Sequence, residues 1–142
     1  MTVKDLMTPN PACCTMDTPL QQVARMMVQC DCGEIPVVEH SDLMRPVGVV
    51  TDRDIVVRAL AEGRNPLTLT AGHVMSGPPV TVTPDDSADA VKRLMETHQI
   101  RRVPVVGRDR ILCGIVSLAD IARRDQRQAI GEVVHQVSAP AR

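Results

Sequence analysis

Gly48-Val49-Val50-Thr51-Asp52-Arg53-Asp54-Ile55 reads as an apolar strand that stops at a hydroxyl residue and opens directly into a helix. The phrase returns as Gly114-Ile115-Val116-Ser117-Leu118-Ala119-Asp120-Ile121. In both copies a carboxylate follows the hydroxyl by three positions. That spacing at a helix N-terminus serves two chemistries. The Asp, with two acceptor oxygens and no donor, suits the two hydroxyls of a ribose, and the hydroxyl sits where free N–H groups favour a phosphate. The same pair is also close to a capping box, in which each side chain satisfies the other residue's backbone N–H. Asp is short for a position usually filled by Glu or Gln.

Working outward, the duplication extends well beyond the phrase. Pro36-Val37-Val38 returns 68 residues later as Pro104-Val105-Val106, and Met7 and Val23 return as Met75 and Val91 at the same offset. Gly48 returns as Gly114 after 66, so the first copy has two extra residues between its two strands. A hairpin loop is where such a difference is cheapest. The chain divides into a first repeat over 1–62, a linker over 63–70, a second repeat over 71–125, and a helix and tail over 126–142.

Each repeat reads as turn, short strand, helix, strand, strand, helix. In the first, Val3 to Met7 is a helical turn and Ala12 to Met16 is extended. A helix starts at Thr18 and Pro19, with Leu20, Val23, Ala24 and Met27 on one face. Strands follow at Ile35 to Glu39 and Val47 to Val50, with a polar loop from His40 to Pro46. A helix from Asp52 to Glu62 stops at Gly63. In the second, the turn is Ala71 to Met75, the strands are Val80 to Val82, Val103 to Val106 and Ile111 to Val116, and helices span Asp85 to His98 and Leu118 to about Gln126. Ala129, Ile130, Val133, Val134 and Val137 form a further apolar face, for capping the core or for a dimer contact.

Composition narrows the function classes. Apolar residues are 44% of the 142, enough for a core, and no run of about 18 apolar residues offers a membrane span. The first residues lack the apolar core of a secretory signal, so the expected compartment is the cytoplasm. Residues 1–70 carry six Lys/Arg against nine Asp/Glu, and residues 71–142 ten against eight. That gradient is far from a basic patch, and there is no Phe, Tyr or Trp on which a base could stack, so nucleic acid is not the expected ligand. Five cysteines (13, 14, 30, 32, 113) form no C-x-x-C pair and show no metal spacing with the four histidines. They read as small buried hydrophobes, with a thiol switch or a metal site as the other readings. No residue pair reads as a nucleophile with its base, and no enzyme activity or metal is expected.

With both copies laid out, the chain resembles a pair of CBS domains (cystathionine-beta-synthase-type repeats, a Bateman module). The resemblance covers about 120 of the 142 residues and rests on Met7 and Met75, the Pro-Val-Val strand and the Gly-h-h-(Ser/Thr)-x-x-Asp-Ile phrase, all twice and in register. It extends to small bacterial proteins consisting of little else than one such pair, among them the actinobacterial hypoxic-response type, which the chain resembles also in its Thr-Asp-Arg-Asp-Ile-Val phrase and short helical tail. The resemblance implies an α+β fold with pseudo-two-fold symmetry, two small three-stranded sheets flanked by helices, two clefts between the repeats and a homodimer. It implies a regulatory module that senses an adenine-containing ligand (AMP, ATP, NAD or S-adenosylmethionine), needs no cofactor, and acts on an unknown partner in trans.

By the same resemblance, Asp54 and Asp120 read the ribose, and Thr51 and Ser117 the phosphate. Arg101 and Arg102 add phosphate contacts, whereas their counterparts Gly33 and Glu34 repel phosphate, so the Ser117–Asp120 cleft is expected to bind more tightly. Adenine walls are carried over as Met7, Ala12 and Gly33 with Ile115 for that cleft, and Met75, Val80 and Arg102 with Val49 for the other. The alternatives are a ligand-free interaction or dimerisation module and a thiol-based stress sensor.

Overall fold

The computed structural model describes the backbone of residues 1–138 and the side chains of residues 1–131. Its helices lie where the apolar stripes put them. Leu20, Val23 and Met27 are buried along α2 (Leu20–Cys30), following α1 (Val3–Leu6), β1 (Thr8–Pro9) and β2 (Cys14–Thr15). Pro19 stands one place earlier than expected, as the capping residue of α2, and the Thr18 hydroxyl accepts from the Thr15 N–H instead of capping the helix. Asp31, in the left-handed region at φ 50°, ends α2.

The hairpin β3 (Glu34–His40) and β4 (Leu43–Thr51) is longer than its apolar core, so the loop expected over His40 to Pro46 shrinks to a two-residue turn. The register shift after Val37 recurs after Val105 in the second hairpin, so the two extra residues lie beyond it, between Val38 and Pro46, where the first ladder shifts once more. Along β4, Pro46, Gly48 and Val50 are buried while Val47 and Val49 are half-buried, so this strand is covered more fully on one face. From Asp52 the chain forms α3 (Asp52–Ile55), widens into a π turn over Val56–Leu60, and stops near Gly63 at φ 74°. The linker is not loose. Pro66–Thr68 is a 3-10 turn and Leu69 is buried in the first core.

In the second half, α4 (Ala71–Val74) is followed by no ladder at Val80 to Val82; Val82 makes a single parallel bridge to Val105. Helix α5 (Ala88–His98) starts three residues later than expected. Ser87 caps it by accepting from the Ala90 N–H, while Asp86 is used upstream to accept from the Thr83 N–H. Strands β5 (Arg102–Val106) and β6 (Leu112–Ser117) lead into one continuous α6 (Leu118–Ser138), where two helical pieces were expected. Ile130 on α6 is exposed; the side chains of Val133, Val134 and Val137 lie outside the described residues.

Two three-stranded sheets result, in the orders β2-β3-β4 and β1-β6-β5. The second takes its edge from the first repeat: Thr8 pairs with Ile115 and Pro9 with Gly114. The pseudo-two-fold counterpart is a bridge between Val49 and Ser76. The short helices cross over as well. Val3 of α1 is buried with Val91, Val103 and Val116, whereas Ala71 and Val74 of α4 are buried with Val23, Val37 and Val50. Each core is closed by a helix from the other half, which fixes the clefts where the halves meet.

Candidate functional site between the repeats

Both phrases fold as strand-to-helix turns with capping boxes. The Thr51 hydroxyl accepts from the Asp54 N–H at 3.0 Å while Asp54 Oδ2 accepts from the Thr51 N–H at 3.0 Å. Ser117 and Asp120 repeat this at 3.0 and 2.9 Å. Asp therefore suffices for the role, short as it is. Only one oxygen of each carboxylate is used in this way. Asp54 Oδ1 accepts from the Ser76 hydroxyl at 3.1 Å and lies 3.8 Å from Arg58 Nε, while Asp120 Oδ1 is held by Arg123.

A cleft of about 510 Å³ opens beside the first phrase, lined by Gly33, Glu34, Thr51, Asp52, Arg53 and, from the second half, Gln99, Ile100, Arg101 and Arg102. Its size lies within the usual range for small-molecule sites. A smaller cavity of about 120 Å³ is lined by Thr8, Pro11, Ala12, Cys30, Cys32, Ile35, Pro36 and Ile115, and again by Glu34 and Arg102. A shallower depression joins Gly33 and Arg102 with Met27, Asp31 and Asp52.

The expected site residues are thus only partly regrouped as read. Ala12 does meet Ile115, but Gly33 lies with Thr51 and Asp52. Met7 packs against Gly114 and the second core. Met75 packs against Gly48 and the first core, Val80 is half-buried, and Val49 is tied to Ser76 through two backbone hydrogen bonds of 2.9 Å. Arg102 shares the small cavity with Ala12 and Ile115, where a wall beside Val49 was expected.

The ranking of the two clefts also needs correcting. Arg101 and Arg102 line the cavity of Thr51, so they do not single out the Ser117 side. The cause is register. Glu34 stands opposite Thr51 and Arg102 opposite Ser117, and these equivalent places both face the line where the halves meet.

Glu34 is the residue that sequence reasoning undervalued. It is 9% exposed, and its Oε2 has no hydrogen-bond partner. Burial pushes its carboxyl up to about 7, the Arg102 guanidinium pulls it back, and Asp54 adds to the rise. The signal was its position, 68 residues before Arg102, where the two repeats carry opposite charges. Of the thiols, Cys14 is buried and pushed up to about 12 by burial and by Cys13. Cys30 is exposed, contrary to the buried reading, because it ends α2. Among the described residues no three His, Cys, Asp or Glu come together in a way that could hold a metal ion.

The same architecture occurs in known proteins. Hypoxic response protein 1 of Mycobacterium tuberculosis is 36% identical over 98% of this chain and 95% of its own length. A crystal structure of Hypoxic Response Protein I with two coordinated zinc ions is 37% identical, with a TM-score of 0.77 over 87% of this chain and 98% of that one. The CBS domain pair of protein MJ0100, solved with 5′-methylthioadenosine and S-adenosyl-L-methionine, is 26% identical with a TM-score of 0.80 over 90% and 98%. CBSX2, solved in complex with AMP, is 25% identical with a TM-score of 0.76 over 90% and 98%. CBS pairs are regulatory modules, and some hold adenosyl ligands. Residues 3–60 and 71–127, the two halves that exchange their first helices, each match the family model described as the CBS domain, and the chain belongs to that family.

Proposed function

We propose that the chain is a cytoplasmic regulatory module that binds an adenosyl ligand between its repeats and signals to a partner protein in trans. The observation that carries this is the division of labour within Asp54 and Asp120. The capping box occupies one oxygen of each, so capping and ribose recognition do not compete. The second oxygen is held by other side chains, Ser76 and Arg58 at Asp54 and Arg123 at Asp120, whose place a ribose diol takes. Thr51, Arg53, Arg101 and Arg102 surround the larger cleft with hydroxyl and guanidinium donors suited to a phosphate. The adenosyl complexes of related CBS pairs support the same ligand class.

A homodimer is part of this reading. Val56, Val57 and Leu60 are 54%, 43% and 64% exposed on one stretch just past Asp54, an apolar surface suited to a second copy. Contact there would couple ligand state at Asp54 to assembly.

With no aromatic residue the protein is nearly transparent at 280 nm, so an absorbance peak near 260 nm in a purified sample reports bound nucleotide directly. Added AMP or 5′-methylthioadenosine should raise the melting temperature, since a ligand bound only by the native state stabilises it. Asp54→Ala combined with Asp120→Ala should abolish that rise. No peak, and no rise with AMP, ATP, NAD or S-adenosylmethionine, would refute the sensing function.

A further inference from the structure

We infer that the cleft selects adenosyl ligands bearing an amino-acid zwitterion, with Glu34 receiving the ammonium and Arg102 the carboxylate. The inference rests on the adenosyl reading above and goes further, to the group that follows the ribose.

Glu34 and Arg102 are opposite charges that line the same two cavities. They nevertheless make no approach within the 4.0 Å of an ion pair. Glu34 Oε2 is buried and accepts no hydrogen bond. A buried carboxylate without a donor is costly, and in a cleft it marks the place of an absent donor. A guanidinium nearby that does not meet it leaves a gap flanked by both signs. A zwitterion fills such a gap with its ammonium on one side and its carboxylate on the other, and Arg presents the planar fork that carboxylates fit.

The dimensions agree. The smaller cavity, at about 120 Å³, is well below the roughly 300 Å³ at which sites for whole drug-sized ligands begin. It suits a side branch, and beside Thr8, Cys30 and Cys32 its other walls, Pro11, Ala12, Ile35, Pro36 and Ile115, are apolar in the way a methylene and thioether chain requires. The larger cleft has room for the nucleoside. Glu34 and Arg102 line both, so they stand where the nucleoside of such a ligand passes into its tail. A simple phosphate satisfies Arg102 but faces Glu34 with like charge, so this charge pair favours the zwitterion over AMP.

S-adenosylhomocysteine and 5′-methylthioadenosine share the adenosine and the thioether, and only the first carries the ammonium and carboxylate. Calorimetric titration of the full chain at pH 8 should find S-adenosylhomocysteine at least tenfold tighter than 5′-methylthioadenosine. Glu34→Gln and Arg102→Gln should each narrow that ratio to within about threefold. Equal affinities in the unaltered protein overturn the proposal without recourse to any variant, as would a ratio left intact by both substitutions. If 5′-methylthioadenosine or AMP binds with no preference for the zwitterion, only this inference falls; if no adenosyl compound binds, the proposed function falls with it.

Discussion

The Ser76 hydroxyl donates to Asp54 Oδ1 at 3.1 Å, joining the second half of the chain to the carboxylate that closes the key phrase of the first. Arg58 reinforces the latch, lying 3.8 Å from the same oxygen and donating to the Met75 carbonyl at 2.8 Å. Asp120 is held by Arg123 of its own helix, and Thr8, the counterpart of Ser76, lines the small cavity. On the proposed reading, a ribose taken up by Asp54 has to break a contact between the halves. Ser76→Ala should cost no more than about 1 kcal/mol of stability, the net worth of one neutral hydrogen bond. It should also tighten adenosyl binding severalfold in calorimetry, a gain that Asp54→Ala removes. Unchanged or weaker binding would show that Ser76 is no latch.

Gly48 and Gly114 occupy equivalent places but should not tolerate alanine equally. A Cβ on Gly48 would lie 2.6 Å from the Ser76 carbonyl oxygen, which is backbone held by its own pairing with Val49. On Gly114 it would lie 2.5 Å from Met7 Sδ, the far end of a flexible side chain, with the Thr8 carbonyl at 3.1 Å. Overpacking costs about 1–3 kcal/mol, and more where the neighbour cannot yield. Chemical denaturation should place Gly48→Ala at the upper end of that range and Gly114→Ala at the lower. The reverse order would mean that Met7 is the stiffer neighbour.

These contacts show how far the sequence could be read. The duplication, the helical stripes and the strand-to-helix phrases are local patterns, written in residues a few positions apart, and they place α2, α5 and the two hairpins. The exchange of α1 and α4 depends on contacts between residues some 90 apart, such as Val3 with Val91, which no local period encodes. The site divides in the same way. Thr51 with Asp54 and Ser117 with Asp120 were legible because each pair lies within one turn. That Glu34 and Arg102 line the same two cavities depends on how the two sheets pack, so the phosphate contacts of Arg101 and Arg102 were read for the Ser117 cleft only.

The exchange itself makes a spatial prediction. Val3 is fully buried in the second core and Val74 in the first. Truncating either to Ala leaves a small cavity, at a cost of about 2 kcal/mol. Hydrogen exchange should then show lost protection in β5 and β6 for Val3→Ala, and in β3 and β4 for Val74→Ala. Loss confined to the half that carries the substitution would contradict the crossed packing.

Glu34 should leave a mark on stability against pH. Its carboxyl is raised from 4.5 to about 7 in the folded state, chiefly by burial, with Arg102 opposing and Asp54 adding to the rise. Cys30 and Cys32 are the other titratable groups in its smaller cavity, and Asp52, Arg53 and Arg101 share the larger. The folded protein binds the Glu34 proton more tightly than the unfolded chain does. Its contribution is therefore fully retained below pH 4.5 and is lost as pH rises toward and through about 7, an effect on the order of 3 kcal/mol. Denaturant midpoints between pH 4.5 and 8 should show this component falling with pH, and Glu34→Gln should flatten that part of the profile. A zwitterion whose ammonium meets the ionised carboxylate should restore stability most strongly above pH 7, so S-adenosylhomocysteine should raise the midpoint more at pH 8 than at pH 5. An unaltered profile in Glu34→Gln would mean that the carboxylate is already satisfied in solution.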